Sequence, residues 1–187
     1  MGLELKKTTL PKDVALKLSS FVEDLLKGKQ WGDLAEEIVA YRKQLGSEID
    51  NNPLLLGLPK GVKGVEEYTR ELHLHGDSVR LPGHVAASIL YNSCREKMED
   101  KESIQIVSGM KIKVFYLKHK VGRFKSIALP TDTETIPQWF KDEFVPHIDV
   151  EAQLERLVDH PLQHIFTAIG REIPSQQSLV VDSLLDF

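Results

Sequence analysis

The sequence predicts an α+β fold: a mainly helical domain with a small antiparallel β-hairpin or sheet, followed by an extended C-terminal tail. Three observations carry this. Apolar residues recur every three or four positions across residues 10–26, 33–45, 83–98 and 150–169, the spacing that lines one side of a helix. Residues 104–130 instead alternate apolar and polar, the period of a strand. From residue 173 the chain turns polar and then closes on an apolar tip, "LLDF". Helices, then strands, then helices within 187 residues fit one buried core, here residues 1–172, with 173–187 as linker and tip.

Taken in order, Thr9, Leu10 and Pro11 open a first helix, since proline is tolerated in the first turn, where its missing N–H costs nothing. Val14, Leu18, Phe21, Val22, Leu25 and Leu26 form its inward stripe, and Gly28 ends it. Asp33 caps a second helix that runs to Leu45 with Leu34, Ile38 and Tyr41 inward. Pro59, Gly61 and Gly64 mark a loop, and Glu66–Leu72 a short helix. A clearer helix spans Gly83–Met98, with Val85, Ile89, Leu90 and Met98 inward. "SIQIVSGMKIKVFYLK" reads as two strands around a Ser108-Gly109 turn, and "RFKSIALP" as another, joined through His119–Gly122. A short helix near Ile136–Phe140 and a longer one from Val150 to Ile169 complete the domain.

No apolar run approaches the roughly 20 residues that cross a bilayer, and the first residues lack the basic-then-apolar layout of a signal peptide. Cys94 is the only cysteine, so no intrachain disulfide is possible, which fits a reducing compartment. The net charge of −4 conceals a sorted distribution. Residues 104–130 hold six Lys or Arg and no Asp or Glu, whereas residues 131–187 hold three cations and eleven acids. Solvated strand faces ordinarily mix signs. One that does not repels itself, and a phosphate backbone relieves that repulsion without being read for sequence. Alternation places Lys111 and Lys113 on one side of the strand and Ile112 and Val114 on the other, with Lys118, Lys120 and Arg123 near the turn and Lys125 on the returning strand. The expected sheet has an apolar side against helices and a cationic side outward. Its partner is duplex nucleic acid or, alternatively, an acidic protein.

Four stretches then occur in a distinctive order: "LPKGVKGVEEY", "LPGHVAASILYN", "GMKIKVFYLK" and "SIALPTDTETIPQWF". With the apolar tip, this order resembles the C-terminal thumb region of family B DNA polymerases from T-even-type bacteriophages and their relatives, from about Leu3 to Phe187. The resemblance implies a thumb that grips primer–template duplex through backbone phosphates, in the cytoplasm of an infected bacterium. Lys60 and Lys63 fall in the loop motif, Lys111 and Lys113 in the strand motif, and His84 in the helix motif. Lys118, Lys120, Arg123 and Lys125 join them by charge and nearness. The paired aspartates that hold two metal ions in family B catalysis, in an Asp-Thr-Asp-Ser context, do not occur here, nor does the Lys-x-x-x-Asn-Ser-x-Tyr-Gly fingers motif. The chain is therefore expected to transfer no nucleotide by itself and to hold no cofactor, magnesium belonging to a separate catalytic portion. It would be an excised domain or the product of a split gene.

The tail "QQSLVVDSLLDF" matches the same comparison, because those polymerases end in a peptide that docks on a sliding clamp. Leu184, Leu185 and Phe187 would be the anchors, with Leu179 and Val180 as extras. An apolar tip after a polar linker otherwise folds back on its own core.

Other chemistries are poorly supported. His73 and His75 share a face if extended, with His84 within reach, but no cysteine accompanies them. His160 and His164 lack the glutamate of a His-Glu-x-x-His site. Nothing around Cys94 lowers a thiol pKa, and no Gly-x-x-x-x-Gly-Lys-[Ser/Thr] loop is present. Trp31, Trp139 and Phe140 read as core or core-edge residues.

Overall fold

In the computed structural model, which describes residues 10–132 and 135–175, helix α1 (Lys12–Leu26) starts directly after Pro11. It buries Val14, Leu18, Phe21 and Val22, the stripe expected from spacing. Leu26, assigned inward, is instead 81% exposed, because it lies in the last turn, just before Gly28 (φ 90°) turns the chain away. Helix α2 (Trp31–Ser47) packs on α1 and buries Leu34, Ala35, Ile38 and Leu45, with Phe21 meeting Tyr41 edge-on at 5.8 Å. These helices, with residues 154–175, form one of two compact units; residues 57–153 form the other.

The first unit is completed by residues 154–175. Helix α6 (Val150–Leu154) leads into a wide π turn at Glu155–Asp159 and then into α7 (His160–Ala168). Pro161 explains the wide turn. It has no N–H to give the Leu157 carbonyl, and its ring crowds that carbonyl, so a regular α ladder cannot pass through. The turn still buries Leu157 and Val158, and α7 buries Leu162 and Phe166. Phe166 stands edge-on to Trp31 at 5.1 Å, and Arg42 donates to Asp159 at 3.1 Å.

Residues 57–153 hold an antiparallel sheet in the order β1 (Leu58–Gly61), β2 (Lys111–Val121), β3 (Phe124–Pro130). The chain is thus α+β, as its sequence predicts. Helix α3 (Val65–His75) follows β1, α4 (Gly83–Lys97) packs against β3, and α5 (Gln138–Glu143) follows the hairpin. Small residues, Ala87 and Ser88 on α4 and Ser126 and Ala128 on β3, are all buried.

Four expectations are corrected here. Pro59 and Gly61 lie in strand β1, not in a loop: β1 is an edge strand, where a missing N–H is tolerated. Ile104–Val107 joins no strand, because α4 holds this stretch through side chains instead. Asn92 accepts from Ile106 N–H (2.9 Å) and donates to Ile106 O (2.8 Å), and Arg95 donates to Ser103 O (2.6 Å). The hairpin turn is tighter than His119–Gly122: Val121 faces Phe124 across a two-residue turn opened by Gly122 at φ 58°. Met98, assigned inward, is 46% exposed beyond the end of α4. No helix among the described residues is long and apolar enough to cross a membrane.

Candidate functional site

The eight cations singled out by sequence all fall within residues 57–153, but not on one outward sheet face. Residues opposite one another in an antiparallel ladder point the same way. The register Phe115↔Ile127 and Lys113↔Leu129 therefore places Lys113, Phe115, Ile127 and Leu129 together, while Ile112, Val114 and Ala128 share the other side. Phe115, Ile127 and Leu129 are fully buried, as are Ile112 and Ala128, so both sides of the sheet are covered. Phe140 of α5 meets Phe115 at 5.7 Å, and Trp139 joins Phe140, Phe144 and Tyr91, which confirms the core-edge assignment of these aromatics. A strand covered on both sides has no outward cationic face. Its charges are displaced to the ends.

At one end, Lys111 faces Gly61 in the β1–β2 ladder, next to Lys60, and Lys63 lies two residues further on. All three are exposed. The ladder continues past β1, with Val62 N–H donating to Met110 O (3.0 Å) and Gly109 N–H to Val62 O (2.8 Å). Ser108 fastens this end to α3. Its hydroxyl oxygen accepts from Val65 N–H (3.0 Å), capping the helix in place of Gly64, while its own N–H donates to Glu66 at 2.8 Å and its hydroxyl donates to the same carboxylate. Those bonds hold the Glu66 carboxyl below its usual range. Lys113 is half-buried over Gly57, where an added Cβ would come within 2.7 Å of both Lys113 Cβ and Phe115 Cζ.

At the other end are Lys118, Lys120 and Lys125, all exposed, with Lys118 Nζ donating to Pro146 O at 3.0 Å. Arg123 behaves differently. It donates to Gly76 O (3.2 Å), Asp77 Oδ1 (3.3 Å) and Val79 O, so it pins the hairpin tip to the α3–α4 connection. This brings the chain at Arg80, an exposed cation the sequence did not single out, beside the hairpin; only the fold places it there. Among the described residues, none of Lys60, Lys63, Lys111, Lys118, Lys120 and Lys125 pairs with a carboxylate.

The stretch between the two ends is rigid by construction. Beyond the reach of β1, the free edge of β2 is taken up by Gln153, wholly buried, which accepts from Tyr116 N–H (3.1 Å) and donates to Val114 O (3.2 Å). Asp149 N–H donates to Tyr116 O (2.9 Å), and Leu117 bridges Ile148. A side-chain amide here substitutes for a strand.

An acidic corner lies elsewhere in the unit. Asp100 accepts from the hydroxyl and N–H of Ser103, from Glu102 N–H and from Trp139 Nε1 (2.8 Å). These bonds, the Ser103 hydroxyl first, lower its carboxyl to about 2. All of these bonds come from neighbouring protein groups, so Asp100 organises the 100–104 turn. Burial raises the Cys94 thiol, the reverse of what a nucleophile requires. His73 and His75 are exposed on helix α3 rather than on a strand, and among the described residues no three His, Cys, Asp or Glu side chains gather to hold a metal ion. Leu179, Leu184, Leu185 and Phe187 lie outside the described residues. No protein-family model matches the chain, and no curated protein proves similar to it.

Proposed function

We propose that residues 57–153 grip a nucleic-acid duplex by its phosphates, and that the chain is the non-catalytic thumb portion of a phage-type replicative DNA polymerase. The observation that carries the duplex reading is the set of six exposed lysines, Lys60, Lys63, Lys111, Lys118, Lys120 and Lys125, with no paired carboxylate among the described residues. Unneutralised charge held on a stiff sheet costs stability and is relieved by a polyanion that releases its counterions. The polymerase reading rests on the order of the four sequence stretches and on the tail. Working with a separate catalytic portion and a sliding clamp, in the cytoplasm of an infected bacterium, belongs to the same proposal, as does magnesium held by that other portion.

The test is fluorescence anisotropy with labelled duplexes of unrelated sequence over a range of salt. If each neutralised phosphate contributes about 0.9 to the slope of log K against log salt, six lysines give a slope near 5 that is the same for every sequence. A flat salt response would end the duplex reading and leave an adaptor that meets an acidic protein. For the tail, deleting residues 179–187 abolishes clamp binding in a pull-down without lowering the melting temperature. Earlier melting would make those residues part of the core.

A further inference from the structure

Resting on that reading, we infer that the duplex is held at two separate stations, so that binding requires a polyanion long enough to span both. The first station is Lys60, Lys63 and Lys111, gathered by the β1–β2 ladder and the Ser108 clasp on α3. The second is Lys118, Lys120 and Lys125 at the hairpin, oriented by Arg123 on the α3–α4 connection.

Between them the strand buries Val114, Phe115 and Leu117, and its one cation there, Lys113, is half-buried on the Phe115 side. Seven residues of strand at about 3.3 Å each separate Lys111 from Lys118 by about 23 Å. A mononucleotide or a single phosphate cannot reach both stations. A duplex advances about 3.4 Å per base pair, so the span corresponds to about seven base pairs. Strand β2 cannot flex to shorten the gap, because Gln153, Asp149 and Ile148 occupy its edge along the middle. The surface is therefore a bivalent one, and its affinity comes from tying two weak contacts into one molecule.

The experiment uses the full chain with labelled duplexes well below and well above about seven base pairs, at low and graded salt. On the long duplex the salt slope is about twice that on the short one, as six contacts compare with three. The triple variant Lys60→Ala/Lys63→Ala/Lys111→Ala and the triple variant Lys118→Ala/Lys120→Ala/Lys125→Ala each lower the long-duplex slope to the short-duplex value. On the short duplex each costs only about twofold, because either station holds it alone. The matching Lys→Arg triples restore the wild-type slope. Equal slopes on the two lengths, or one triple variant abolishing binding to both lengths while the other changes neither, overturn the two-station arrangement while duplex binding itself stands. Absence of binding to either length at low salt removes the duplex reading and this inference with it.

Discussion

In the unit formed by residues 10–56 and 154–175, Lys29 lies 2.6 Å from Glu37 and 3.6 Å from Asp24, Lys27 lies 3.6 Å from Glu23, and Arg42 lies 3.1 Å from Asp159. In residues 57–153, six lysines on and around the sheet lie beside no carboxylate among the described residues. The chain has 28 acids with which to neutralise them. Folding could have carried acids from elsewhere to the lysines, as it carries Asp77 to Arg123 and Asp159 to Arg42. That it does not, among the described residues, makes the separation of charge there a property of the fold and not merely of order along the chain.

The largest test of this contrast replaces charges in each unit and reads duplex affinity. Removing Lys111, Lys118, Lys120 and Lys125 together weakens binding at low salt by at least about a hundredfold. Lys29→Ala with Lys27→Ala leaves it unchanged; equal losses in the two sets would erase the distinction. Next in size is Gln153→Leu, which strips the β2 edge of its substitute strand and leaves Tyr116 N–H and Val114 O buried without it. Chemical denaturation is expected to read a loss of about 2 kcal/mol.

Smaller still is the contribution of single charges to stability. Arg42→Ala, which removes the guanidinium beside a partly buried Asp159, costs about 1 kcal/mol in the same denaturation assay, whereas Lys120→Ala shifts stability by less than about 0.5 kcal/mol. A large loss at Lys120 would mean that the lysine serves the fold.

The finest effect is with pH. Asp100 is lowered from 3.8 to about 2, so its contribution is complete above 3.8 and is lost as pH falls through 2. Ser103→Ala removes the largest cause. The Asp100 midpoint, followed by carboxyl-carbon NMR, then rises towards 3.8, and the acid-induced loss of stability begins at higher pH. An unmoved midpoint would show that the Ser103 hydroxyl is not what holds the charge.

Much of the architecture was legible because helical spacing is a property of single segments. Val14, Leu18, Phe21, Leu34, Ile38, Val85 and Ile89 are buried as their spacing requires. What escaped depends on partners distant in the chain. The four residues of β1 contain a proline and a glycine, and only their pairing with Lys111–Val114 makes them a strand. Residues 104–107 have the alternation of a strand but are satisfied by Asn92, which no local pattern reveals. Lys118, Lys120 and Lys125 were found by charge and nearness alone, and Lys60, Lys63 and Lys111 by their place in the ordered sequence stretches. Their division into two groups was hidden because alternation by itself does not say that Phe115 lies on the Lys113 side and is buried there. Arg123 was counted among surface cations, and its three acceptors at residues 76–79 give it a bracing role as well.

The wide turn at Glu155–Asp159 gives this stretch a tolerance of chain length that its composition conceals. In a regular α-helix, which rotates about 100° per residue, losing one position swings every later side chain by that angle. A π turn carries one residue more than an α turn, so a single deletion within it restores an α turn and leaves Leu162 and Phe166 in phase, with Phe166 still against Trp31. What such a variant loses is room for Pro161, whose ring and missing N–H would then face a regular α ladder.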